Sequence, residues 1–144
     1  MKRVALVSCS AKKLKEAKAN PEKEFAAKEI YTGKNFLKSI NEGLSALNCD
    51  SFCILSGKYG LLSPDDKIKY YDCYLAKEKV SYKRDWSNKV YDQLQEKFGD
   101  LSQIEFIFFA GQTYYRYLLQ RLNCKVLNFD GRHITFKIKE LNHV

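Results

Sequence analysis

Four short apolar runs, separated by segments long enough to hold helices, set the strongest limit on what this chain can fold into. They are Val4 to Val7, Phe52 to Leu55, Ile104 to Phe109 and Val126 to Phe129. Each has the length and character of a buried strand. Between them, apolar residues recur every three or four positions. Phe36, Leu37, Ile40, Leu44 and Leu47 form one such stripe, and Tyr82, Trp86, Val90, Leu94 and Phe98 form another. Each predicts an amphipathic helix, the second closed by Gly99 at its C-terminal cap. A shorter helical pattern joins Tyr114, Tyr115, Leu118, Leu119 and Leu122. In the tail, Ile134, Phe136, Ile138 and Leu141 fit a helix or an alternating strand, and a helix is the expectation.

Strands that alternate with helices return in the same direction through right-handed crossovers, which buries a parallel sheet between helices. The expected fold is therefore α/β, a three-layer sandwich with a mainly parallel sheet of about four strands. With 144 residues, 45% of them hydrophobic, the chain fills one core, so residues 1–144 are read as a single domain.

The net charge of +8 favours an anionic partner, although the basic residues are spread along the chain. The five cysteines form no CxxC pair and accompany only two histidines, so neither a disulfide framework nor a metal site is expected. The apolar stretch in MKRVALVSCSAKK is too short for a signal peptide, and no run approaches the roughly 20 apolar residues of a membrane span. A cytoplasmic protein with no cofactor, no metal and no membrane association is expected.

In parallel sheets ligands collect beyond the carboxyl ends of the strands. The first such turn, Ser8-Cys9-Ser10, offers two hydroxyls and backbone amides to a phosphate or base, or else is an ordinary turn with a buried thiol. The second, Ser56-Gly57-Lys58-Tyr59-Gly60, places an anion donor and an aromatic ring between glycines, without Walker spacing. The loop that follows carries Asp65, Asp66, Tyr70, Tyr71 and Asp72. Carboxylates that activate water, beside rings that hold a base, suit cleavage or exchange at an N-glycosidic bond. Asp65 and Asp66 equally fit a turn after Pro64. Gly111 permits close backbone approach, with Tyr114 and Arg116 near the first turn of the next helix. His133, after the fourth strand, is the better placed histidine for acid–base work.

The segments VSCSAKK, IYTGKNF, CILSGKYGLLSPDDKIKYYDCYL and FFAGQTYYRYL, from Val4 to Leu119, resemble a family of small bacterial and phage proteins of unassigned function. Its pattern reads SCSKKK, LYxGxLF, LSAKYGLLxPDxxIxPYDxxL and LAGxxYxxxL. Ser8, Cys9, Ser10, Lys58, Tyr59, Gly60, Asp65, Tyr71, Asp72, Gly111 and Tyr114 coincide with it. Gly57 stands where that pattern has alanine, and Tyr70 where it has proline. The family is distantly similar to the YaaA peroxide stress proteins, which are associated with DNA binding. The layered plan also resembles uracil-DNA-glycosylase-like folds, although their GQDPYH turn is absent here.

These readings converge on a nucleic-acid- or nucleotide-acting protein, with an N-glycosidic enzyme as the specific version. In that version Asp72, Tyr71 and His133 are the catalytic candidates. Ser8, Cys9, Ser10, Lys58, Tyr59, Gly60, Asp65, Gly111, Tyr114 and Arg116 are the ligand-binding ones. A non-catalytic DNA-binding stress or defence protein and a small-nucleotide sensor are the alternatives.

Overall fold

The computed structural model describes residues 2–8, 13–31, 36–130 and 133–140. In chain order its elements are β1 (Lys2–Ser8), α1 (Lys15–Ala19), β2 (Phe25–Ala26), α2 (Ala27–Ile30), α3 (Phe36–Ala46), β3 (Ser51–Ser56), β4 (Gly60–Leu62), β5 (Lys67–Ile68), α4 (Val80–Phe98), β6 (Ile104–Phe109), α5 (Gln112–Tyr115), β7 (Cys124–Asp130) and β8 (His133–Glu140). The main sheet runs β4-β3-β1-β6-β7-β8, and β2 pairs with β5 in a separate two-stranded ribbon.

The four expected strands form the parallel centre of the sheet, with β1 between β3 and β6 and β7 beyond β6. Antiparallel β4 and β8 extend it at the two edges. These strands are almost continuously apolar because both faces are covered. Val4, Leu6, Cys53, Leu55, Phe106 and Phe108 point to one face, where they pack with Trp86, Val90 and Leu94 of α4. Ala5, Val7, Ile107 and Phe109 alternate to the other face, against Leu44 and Leu47 from α3 and the turn after it. Near β3, Ile54 instead meets Ala17, Phe25, Ile30 and Ile68, a satellite core built by α1, α2 and the small ribbon. These apolar residues close the second layer where α3 does not reach.

Two expectations need correcting. The tail is a strand, with β8 paired antiparallel to β7 from Lys125↔Glu140 to Asp130↔His133. The alternation of Ile134, Phe136 and Ile138 is a strand period, and pairing along the open edge of β7 satisfies backbone groups that a helix would have left exposed there. The Asp130-Gly131 pair between two alternating runs was the available hairpin signal. The pattern from Tyr114 to Leu122 also yields only the short α5, followed by hydrogen-bonded turns such as Leu118 N–H to Tyr115 O and Arg121 N–H to Leu118 O. Leu118 and Leu122 still reach the α4 core from those turns, so burial did not require a continuous helix. The connections 13–21 and 63–78 carry α1 and β5.

Burial pushes the thiols of Cys53 and Cys124 up to about 11. The folded protein then keeps both protonated where the unfolded thiols, near 9.0, ionise. Their contribution is intact below about pH 9 and is lost as pH rises from there towards about 11. The urea midpoint in reducing buffer is expected to fall across that window, and to fall less in a Cys53→Ala, Cys124→Ala variant. Equal slopes for the two proteins would contradict this assignment.

Candidate functional site at the carboxyl ends of the strands

The order of the strands positions the site. From β1 the chain leaves towards β3, and from β6 it leaves towards β7 on the opposite side. The direction of winding therefore reverses between β1 and β6, and the connections diverge to leave a crevice at their carboxyl ends. Ser8 and the Ala110-Gly111 turn border that crevice. Ser8 is half-buried and pairs with Leu55. Gly111 is exposed, and a Cβ there would meet nothing within 4 Å, so the turn is open to a ligand. Cys9 and Ser10 lie outside the described residues.

The turn after β3 is tied together by one hydroxyl. Ser56 Oγ accepts hydrogen bonds from the N–H groups of Lys58 and Tyr59, at 3.3 and 3.1 Å. It donates to Tyr71 Oη at 2.8 Å, and Tyr71 Oη lies 2.5 Å from Tyr31 Oη. Three hydroxyls, Ser56, Tyr71 and Tyr31, are thus joined in one buried chain. Tyr71 is 4% and Tyr31 2% exposed. The Tyr59 ring meets Tyr71 edge to face at 5.3 Å, and the Lys13 ammonium sits 4.4 Å from the Tyr71 ring centre. Tyr71 thus stands behind the surface and fixes the β3 turn to the loop that carries Asp72. Tyr59, half-buried, is the ring nearer solvent.

A second set of contacts joins this turn to α4. Trp86 Nε1 donates to Ser56 O at 2.7 Å, and Tyr82 Oη donates to Gly57 O at 2.8 Å. Burial first, and then Cys73 and Glu78, push the Tyr82 hydroxyl up to about 12, so it remains a donor at any physiological pH. A Cβ on Gly57 would lie 3.2 Å from Cys73 O. Alanine, which the resembling pattern has there, would need the loop to give by a few tenths of an ångström. Trp86 also meets Tyr114 edge to face at 5.8 Å, which links the β3 turn to the Gly111 turn through one indole.

Gly60 is held differently. Its φ of 76° is left-handed, and a Cβ would collide with Gln93 Oε1, which accepts the Leu61 N–H at 2.8 Å while Gln93 Nε2 donates to Tyr59 O. Gly99 has the same φ of 76° but open space around it. Gly99→Ala is expected to cost about 1–3 kcal/mol of backbone strain, since its φ of 76° with ψ of −119° suits glycine alone. Gly60→Ala should cost about 1–3 kcal/mol beyond its own backbone strain, because Gln93 must also release its bonds. Urea denaturation of both variants checks this, and equal costs would show that Gln93 does not brace the turn.

The remaining candidates are dispersed. Asp72 is exposed and forms no ion pair among the described residues. Asp65 is exposed and paired with Lys28 at 2.8 Å, and the hydrogen bond from that ammonium holds its carboxyl below the usual range. Lys58 is exposed, 5.3 Å from the Tyr59 ring centre, and lines a cavity of about 200 Å³ with Tyr82, Asp85, Trp86 and Lys89. Arg116 is exposed and lines a separate notch beside α5. His133 opens β8 opposite Asp130, four strand positions from β3, so the backbone does not bring it to Tyr71 and Asp72.

Sequence reasoning had not assigned roles here to Tyr31, Trp86 or Gln93. Tyr31 was visible as part of IYTGKNF, whereas Trp86 was visible only as a member of an apolar stripe. Among the described residues, no three metal-ligating side chains converge, and no helix is long and apolar enough to cross a membrane.

The fold and these turns define a mixed α/β domain with a mostly parallel sheet and a polar, aromatic-lined edge at the strand carboxyl ends. The chain belongs to the family of unknown function DUF6884, which matches residues 4–141. No curated protein matches it.

Proposed function

We propose that the protein acts on nucleotides or nucleic acid at this edge, and that the reaction is cleavage or exchange at an N-glycosidic bond. The observation that carries the reading is the Ser56–Tyr71 hydrogen bond, which holds the carboxylate-bearing loop against the turn presenting Lys58 and Tyr59. Lys58 and the Gly111 turn hold phosphate, with Arg116 nearby, and Tyr59 stacks on the base. Tyr71 positions the loop through its hydroxyl.

In hydrolysis Asp72 takes a proton from water as the water oxygen bonds to the anomeric carbon. The carbon–nitrogen bond breaks, its electron pair leaves with the base, and the base nitrogen is protonated from solvent. The similarity to YaaA proteins and to the uracil-DNA-glycosylase plan supports the ligand class but assigns no activity. The thiols Cys49, Cys53 and Cys73, which form no disulfide, suit a reducing cytoplasm.

A thermal-shift screen of nucleotides, modified bases and oligonucleotides, followed by chromatography of any reaction product, tests the proposal. Stabilisation by at least one nucleotide ligand and release of free base are expected. Stabilisation without release would favour the sensor or DNA-binding reading.

A further inference from the structure

The segment from Tyr74 to the third turn of α4 gathers features that match an unpaired nucleic-acid strand. Among the described residues, the large apolar side chains left exposed are Tyr74 at 51%, Val80 at 53% and Tyr82 at 36%. All three fall within this one stretch. Lys77 Nζ lies 5.6 Å from the Tyr74 ring centre, and Lys58 and Lys89 border the cavity beside Tyr82, with the Asp85 carboxylate between them in sequence. On the other side of α4, Lys83 and Arg116 line a notch of about 100 Å³ with Thr113 and Gln112, and no carboxylate lines it. Arg84 and Arg116 lie 5.4 and 5.6 Å from the ring centre of Tyr117.

The Lys83–Arg116 notch concentrates positive charge with no carboxylate in its lining. The ion pairs of the described residues join Arg3 to Glu105, Lys23 to Glu16, Lys28 to Asp65 and Lys69 to Glu22. None involves Lys83, Arg84 or Arg116. A notch of cations without a carboxylate, beside exposed rings, complements a polyanion whose bases are free to stack. A duplex keeps its bases stacked inside and cannot use those rings.

We infer that the Tyr74–Lys89 surface binds single-stranded nucleic acid, with phosphates at the Lys83–Arg116 notch and bases on Tyr74 and Tyr82. This rests on the nucleotide reading above and extends it to a strand running past the site.

The test is fluorescence anisotropy with labelled 12-nucleotide single strands of DNA and of RNA and with the matching duplexes, repeated across a salt series. At least one single strand is expected to bind tenfold or more tightly than its duplex, and the two sugars identify the source. The Lys83→Glu, Arg116→Glu variant should lose at least tenfold in affinity. The neutral Lys83→Gln, Arg116→Gln pair, with folding checked by circular dichroism, should flatten the salt slope by about 1.4, or about 0.7 for each cation. Tyr74→Ala should weaken binding several-fold with the slope unchanged. Equal or tighter duplex binding, or affinity within twofold after charge reversal, would overturn the inference. Strand binding without base release would instead fail the proposed reaction and leave this surface standing.

Discussion

Replacing Trp86 by alanine is expected to remove about 3–5 kcal/mol of stability, the usual cost of deleting a buried aromatic side chain. A domain of this size commonly has only about 5–15 kcal/mol in total, so the variant should sit close to unfolding. The effect is large because three consequences coincide. The α4 core loses the largest of the side chains it packs on the sheet, the Ser56 carbonyl loses the indole donor at 2.7 Å, and Tyr114 loses its edge-to-face neighbour at 5.8 Å. Trp86→Phe separates them, since it keeps most of the ring volume and loses only the N–H. It should cost about 1–3 kcal/mol, the penalty for leaving a buried carbonyl without its donor. Urea denaturation measures both. If Trp86→Phe matched wild type, the indole hydrogen bond would not be what holds the β3 turn.

Asp72→Asn is expected to lower turnover by roughly 10²–10⁴, the contribution typical of a positioned acid–base group. The melting temperature should not change, because the carboxylate is exposed and forms no ion pair among the described residues. Lys58→Ala should instead raise KM, as loss of a phosphate contact would. Tyr71→Phe should behave differently from both. It removes the hydroxyl that bridges Ser56 to Tyr31, so stability and turnover should fall together. An Asp72→Asn protein with full activity would exclude this carboxylate as the base.

The parallel centre of the sheet was legible because burial on both faces leaves continuous apolar runs, and α3 and α4 because their stripes repeat at helical spacing. β8 was misread because four apolar residues at 134, 136, 138 and 141 satisfy two periods. The choice was made by the open edge of β7, a tertiary circumstance. The turns of the site were legible by position alone, since any residue following a parallel strand lies at the same edge. Their internal wiring was not legible. Ser56, Tyr71 and Tyr31 are 15 and 40 residues apart, and Gln93 reaches Leu61 across 32. No local pattern encodes such contacts. Tyr71, read as a catalytic candidate, is a buried strut, and Trp86, read as part of an apolar stripe, is also the joint between two turns.

The largest cavity among those described competes with this account. It measures about 550 Å³ and lies at the amino ends of the strands, lined by Tyr91, Gln95, Gly99, Asp100, Arg121 and Asn123 among others. Its charged groups already have partners. Arg121 is stacked 3.7 Å from the Tyr91 ring centre and bonded to Asn88, and Asp100 caps Ser102. Backbone amide shifts during titration with an oligonucleotide distinguish the two ends directly. Perturbation is predicted at Lys58 to Gly60, Asp72 to Tyr74 and Gly111 to Arg116. Shifts confined to Gly99 to Ser102 and Gln120 to Asn123 would place the ligand at the wrong end of the sheet and contradict the account.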